Sequence, residues 1–176
     1  MTKFKNLIIL SPLAYVLHHF EEHIIFNFRD WRLTYFLDNN SLSTEEVLLR
    51  LLAVLLAFIF VHSVRKNKAS AHVLLFFLMT TQVVNAFFHI FFSLYFLDFS
   101  PGAISGTLLY LPVNYFIFKA ALKEGYINNI KEISYIFVLG ATSFALFEFI
   151  GPVVMQITLL ISIVYYFIST KYFHEH

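Results

Sequence analysis

The sequence predicts an all-α integral membrane protein: a single transmembrane domain over residues 1–176, folded as a bundle of six transmembrane helices. Three observations predict it. First, 59% of the residues are hydrophobic and only 13% are charged, against about 45–50% and about 25% in soluble domains. Second, the apolar residues form long runs, as a bilayer crossing requires and a soluble core does not. Third, lysine and arginine gather at alternate ends of those runs, the bias that orients helices in a membrane. The 23 Phe and 10 Tyr suit lipid-facing and interfacial positions. The net charge of +1 comes with no dense basic patch, so nucleic acid is not expected as a partner. The chain has no cysteine, which removes disulfides, thiolate metal sites and cysteine nucleophiles.

Helix one is expected from about Asn6 to Phe26, with Pro12 in its first turns. The N-terminal MTKFKNLIIL is followed by no small-residue cleavage site and is expected to be retained. Helix two runs from about Glu45 to Val64, with Thr44 as cap and Glu45 and Glu46 in the first turn. Helix three runs from about Ala71 to Leu97. Helix four starts after Ser100-Pro101-Gly102, ends near Leu122, and is expected to kink at Pro112. The apolar run from Ile133 to Ser169 is too long for one crossing at about 20 residues. Gly151-Pro152 divides it into helices five and six; if that pair is only a kink, the bundle has five helices. The loop from about Asn27 to Ser43 carries Trp31 and Tyr35, which suit an interfacial segment.

With six spans, Lys3, Lys5, Arg65, Lys66, Lys68, Lys119, Lys123, Lys131 and Lys171 all fall on one side. That side is expected to be cytoplasmic, with both termini on it. Arg29, Asp30, Arg32, Asp38 and Asp98 fall on the other.

The stretch HHFEEH at 18–23 sets five titratable side chains inside helix one. Ionisable groups inside a span are costly, which makes each a candidate for function. At about 100° per residue, His18, Glu21 and Glu22 share one face, while His19 and His23 form an i,i+4 pair on the adjoining face. Imidazole and carboxylate at i, i+3 and i+4 let one helix grip one metal ion. The adjoining face is expected to be structural. Helix three carries a matching stripe of Gln82, Asn85, His89 and Ser93. His89 is the candidate ligand there, with Asn85 as the donor that orients it. Helix five adds Glu148, either a ligand or base or a structural partner of Arg50.

At 1.5 Å per residue, His18 lies roughly 18 Å above the inner end of its helix, His89 roughly 27 Å and Glu148 roughly 22 Å. Arg50 lies roughly 8 Å below the outer end of helix two. Gln156 of helix six is near the same level. The polar groups thus converge in the outer half of the bilayer. His62 and His72 fall near the inner ends, where an interfacial position is expected. His174 and His176 lie on the C-terminal tail and are expected to be solvated.

His18-His19-Phe20-Glu21-Glu22 matches the pattern H-x-x-E-E, and the chain resembles the HXXEE-domain family of membrane proteins. The downstream histidine of that family corresponds to His89, in N-A-F-F-H. Its Y-x-P-G motif corresponds to Phe99-Ser100-Pro101-Gly102, with Phe in place of Tyr. The resemblance spans roughly positions 10–120. It implies a multi-span membrane protein with a metal site and leaves the reaction open.

The leading expectation is a membrane-embedded metalloenzyme, a hydrolase or oxygenase acting on a lipid-like small molecule. His18, Glu21, Glu22 and His89 would hold a divalent metal, Zn or Fe. Glu21 or Glu22, whichever is not a ligand, would serve as general base. Asn85, Glu148, Arg50 and Gln82 would support the site. A metal-free alternative is a glutamate-based hydrolase or isomerase, similar in residue types to intramembrane prenyl-protein proteases. A proton or cation transporter subunit is the non-enzymatic alternative, although the inner halves of helices one and three are mostly apolar. Histidines on two helices also allow a b-type haem.

Overall fold

The computed structural model describes residues 3–38 and 42–172 and is all-helical over them. His174 and His176 lie outside the described residues. The chain begins with α1 (Phe4–Leu7) and α2 (Leu10–Phe20), the latter extended by a π turn (Glu21–Ile25). Pro12 explains the break between α1 and α2. Its missing N–H leaves the carbonyl of Ile8 open, and that carbonyl accepts instead from the backbone N–H (3.2 Å) and hydroxyl (2.6 Å) of Ser11.

A short helix, α3 (Phe28–Tyr35), occupies the predicted interfacial loop, and Asn27 caps it by accepting from the Asp30 N–H. Trp31 is buried, and Tyr35 stacks on Phe96 with ring centroids 3.9 Å apart. The Tyr35 phenol bonds Asp98 at 2.9 Å, which raises its pKa.

Then come α4 (Thr44–Arg65), α5 (Lys68–Leu78), a second π turn (Met79–Val84) and α6 (Asn85–Tyr95). Ser43 rather than Thr44 caps α4, accepting from the Glu46 N–H. The chain continues with α7 (Ala103–Ser105), a third π turn (Gly106–Tyr110), α8 (Leu111–Lys123), α9 (Ile130–Ile150) and α10 (Val153–Tyr172). Pro112 sits at the start of α8. It cannot donate to the carbonyl of Leu108, and the π turn lies at those residues. Gly151, with φ +98° and ψ −161°, holds a conformation other residues rarely adopt and separates α9 from α10. His72 lies 3.2 Å from Glu132, near the start of α9, and bonds Tyr165, near the end of α10, at 2.7 Å. The two helices therefore fold back on each other as a hairpin rather than forming one kinked rod.

Four helices among the described residues are long and apolar enough to cross a membrane: Thr44–Arg65, Lys68–Tyr95, Ile130–Ile150 and Val153–Lys171. The second is central. Its apolar stretch is 56% buried in the protein, against 11–17% for the other three. Those three present exposed residues such as Phe60, Leu139 and Phe167. Apolar surface of that extent is rare on water-soluble monomers and suits a bilayer. The segments 10–25 and 103–123 pack alongside the central helix.

The α1 end, the C-terminal end of α4 and the 124–129 loop meet at one end of the bundle. There His62 is buried, in contrast to the interfacial position expected for it. It bonds Ser70 at 2.9 Å and packs between Phe4 and Tyr126. His72 ties the same region to Tyr126 O at 2.8 Å. Basic residues Lys66, Lys68 and Lys123 flank this end, and α3 covers the opposite one.

A buried polar knot crosses the middle. Gln82 donates to the Ser11 carbonyl (3.0 Å) and accepts from Asn114 Nδ2 (2.8 Å), which also donates to the Tyr110 carbonyl (2.9 Å). It joins α2, the second π turn and α8. Gln82→Ala and Asn114→Ala should each lower thermal stability in detergent. The double variant should lose less than the sum, by a coupling of at least about 0.6 kcal/mol, the mean for interhelical polar pairs in a membrane. Strict additivity would show that the knot does not act as a unit.

Candidate metal centre

The HHFEEH stretch straddles the junction of α2 and its π turn. Phe26 N bonds Glu21 O at 2.9 Å, the wider closure that defines the turn. One extra residue per turn re-aims the side chains that follow, and such turns recur at functional sites. Here the two glutamates part company. Both are buried, but they face different neighbours.

Glu21 turns to the Pro101-Gly102 corner. Its Oε1 accepts from the N–H groups of Gly102 (3.1 Å) and Ile104 (3.2 Å), and its Oε2 from that of Ser105 (2.6 Å). These are the orphan donors at the start of α7, so Glu21 caps the helical segment that follows the Pro-Gly corner.

Glu22 turns to the histidines. Its Oε1 lies 3.3 Å from His18 Nε2 and 2.8 Å from His89 Nε2. Its Oε2 is bonded by His19 Nδ1 and lies 3.5 Å from His23 Nε2. His18 and His89 are fully buried, with ring centroids 5.3 Å apart. Each is oriented through its other nitrogen: His18 Nδ1 to the Ser105 hydroxyl and His89 Nδ1 to the Ser100 hydroxyl, both at 2.9 Å. The Ser100 N–H in turn donates to the Ser93 hydroxyl at 2.9 Å, which fixes the serine in place. His18 lies against Tyr110 (centroids 4.2 Å) and His89 against Phe28 (5.2 Å).

The two Nε2 atoms that face Glu22 Oε1 lack the alignment of a hydrogen bond and have no other partner. Buried polar atoms are normally satisfied. Two buried imidazole nitrogens converge on one carboxylate oxygen, and each ring is steered by a hydroxyl on its far nitrogen; these are donor types that suit a metal ion. His18, His19 and Glu22 also form a group whose ligand atoms lie within 4.8 Å of one another.

Gly102 forms the wall of this nest. It adopts φ +98°, and a Cβ built on it would stand 2.9 Å from His18 Cε1 and 3.0 Å from both Glu22 Cγ and His89 Cε1. Glycine is therefore required twice, by its backbone conformation and by the space.

The other sequence candidates are distributed around this core. Gln82 belongs to the polar knot. Asn85 has a buried Oδ1 without a partner and borders a cavity beside Glu22. Glu148 pairs with Arg32, at 3.0 Å to Nη2 and 3.1 Å to Nε. Arg50 pairs with Glu46 one turn away on α4 rather than with Glu148; the loop arginine on α3 reaches Glu148 instead. His19, assigned to a structural face by its angle, joins the centre. Its i,i+3 spacing to Glu22 was a signal for this. Ser100 and Ser105 carried no signal beyond flanking Pro101-Gly102.

Fold and site together define a helical protein with four helices, among the described residues, long and apolar enough to cross a membrane, built around a buried histidine–glutamate centre. The chain belongs to the family described as proteins of unknown function with an HXXEE motif, which it matches over residues 9–117. That span contains every residue of the centre. No curated protein and no solved structure matches the chain.

The geometry at Gly102 can be tested against Gly125, which also has positive φ (+77°) but open space around its Cβ position. Gly125→Ala should cost only backbone strain, about 1 kcal/mol. Gly102→Ala should cost that and the displacement of three buried side chains, about 1–3 kcal/mol more. Thermal unfolding in detergent measures both; equal losses would show that Gly102 does not wall the centre.

Proposed function

We propose that the protein is a membrane-embedded metalloprotein, held as six spans with both termini in the cytoplasm, whose centre acts on a lipid-like molecule. The observation that carries the metal reading is the convergence of His18 Nε2 and His89 Nε2 on Glu22 Oε1 in a buried nest, with no other partner for either nitrogen. Two imidazoles and one carboxylate suit Zn²⁺ or Fe²⁺. A divalent ion bound there would supply Lewis acidity and lower the pKa of bound water toward neutrality.

The chain's own residues divide the remaining work. Ser105 and Ser100 fix the ring orientations of His18 and His89. Glu21 fixes the Pro101-Gly102 corner that closes one side of the nest, a framework role in place of the ligand or base expected from its spacing. His19, bonded to the second oxygen of Glu22 and bordering the cavity, is placed to exchange a proton with a molecule there. With water activated by a bound divalent ion, a proton-exchanging imidazole there would serve hydrolysis of a substrate reached from the bilayer. The basic residues gathered at the end remote from α3 support an inside position for that end.

Elemental analysis of the purified protein tests the proposal. Wild type should carry a divalent transition metal close to stoichiometrically. His18→Ala, His89→Ala and Glu22→Gln should each lose most of it, while Glu21→Gln should retain it. Folded wild-type protein free of metal, or equal metal content in all variants, would contradict the proposal; the former would favour metal-free chemistry by Glu22 and His19.

A further inference from the structure

A cavity of about 530 Å³ opens beside Glu22 on the side away from Gly102. Its outer end is polar, bordered by His19, Glu22, His23 and the Arg32–Glu148 pair. Its depth is apolar, walled by Phe58, Phe76, Phe77, Phe144 and Leu159. The volume falls within the range of small-molecule sites, about 300–1,000 Å³. The two-ended character is that of an amphiphile's site, with the head at the centre and the tail toward mid-membrane.

The walls give the direction of access. One is α4, through Leu51 and Val54; the opposite is α10, through Thr158 and Leu159. Both helices pack on α5. They are lipid-facing on their outer sides, so the space between them leads to the bilayer rather than to water.

Volume limits the occupant. A cavity within that range encloses a ligand of drug-like size, which one hydrocarbon chain with a small head matches and a two-chain lipid exceeds.

Charge limits it further. Of the three arginines bordering the cavity, Arg32 is mostly buried and pairs with Glu148 (3.0 Å), whereas Arg29–Asp38 (3.7 Å) and Arg50–Glu46 are exposed ion pairs. Beside the buried pair an anionic head would have to displace Glu148, and a cationic head Arg32; unpaired charge there is costly. Asn85 borders the cavity, and its uncharged amide offers a head group a hydrogen bond that needs no charge in return.

Resting on the membrane reading above but not on the metal, we propose that this cavity binds a single-chain membrane lipid with an uncharged, hydrogen-bonding head, such as a monoacylglycerol or long-chain alcohol, admitted between α4 and α10. The test is photolabelling of the full chain in detergent with a monoacylglycerol bearing a diazirine in its acyl chain. Label should map to residues 44–65 and 153–172. Excess 1-monooleoylglycerol should compete at least tenfold better than oleate or dioleoylphosphatidylglycerol. Val54→Trp and, from the opposite wall, Leu159→Trp should each reduce labelling about tenfold at unchanged thermal midpoint; whichever of the two keeps the wild-type midpoint decides the point. Equal competition by oleate would overturn the uncharged head, equal competition by the two-chain lipid the single chain, and labelling untouched by a well-folded tryptophan variant the cavity itself. Metal content is read on the same samples. Labelling without metal would sink the metal reading and leave this one standing, and metal without specific labelling would do the reverse.

Discussion

The structure depends on how a buried carboxylate is kept. Glu22 is almost wholly removed from solvent in a bundle of apolar helices, where an unpaired charge is prohibitive. Four imidazoles from two segments surround it: His18, His19 and His23 from its own helix, and His89 from the central one. Everything nearby serves to bring those two segments together at one depth. The Pro101-Gly102 corner fits between the rings because residue 102 has no side chain. Glu21 holds that corner by its backbone N–H groups, and two serines around it orient the histidines. The two adjacent glutamates thus have separate tasks, one at a backbone and one at a cluster.

The helices are irregular where the polar groups are. Each of the three segments around the centre and its supporting knot contains a π turn: Glu21–Ile25, Met79–Val84 and Gly106–Tyr110. An ideal helix presents a polar stripe at a fixed angle. Widening one turn lets consecutive residues serve different neighbours, as Glu21 and Glu22 do. The cost in backbone geometry is tolerated because the segments are packed against protein rather than lipid.

Much of this was legible in the chain itself. The long apolar runs and the Gly151-Pro152 break follow directly from hydropathy and backbone stereochemistry. The convergence of His18 and Glu22 with His89 follows from counting residues along two segments that run in the same direction from the basic end. What could not be read has a physical reason in each case. The separate aims of Glu21 and Glu22 depend on a π turn, which sequence does not announce. Arg32 rather than Arg50 meets Glu148 because residues 28–35 form a helix over the bundle, while the loop reading gave that segment no direction. His62 is buried because α1 folds across that end of the bundle, where Phe4 packs on it, and Pro12 sets α1 apart from α2. The hydroxyls of Ser100 and Ser105 are ordinary in sequence and matter only through tertiary contact.

The central claim is that His18, His89 and Glu22 hold one divalent ion. Anomalous diffraction from crystals of the purified protein, collected at the absorption edge of whichever metal elemental analysis finds, tests it most directly. The account predicts a single peak between His18 Nε2, His89 Nε2 and Glu22 Oε1, within about 2.0–2.2 Å of each. A peak elsewhere in the protein, or density showing these three atoms hydrogen-bonded to one another with no ion between them, would contradict it.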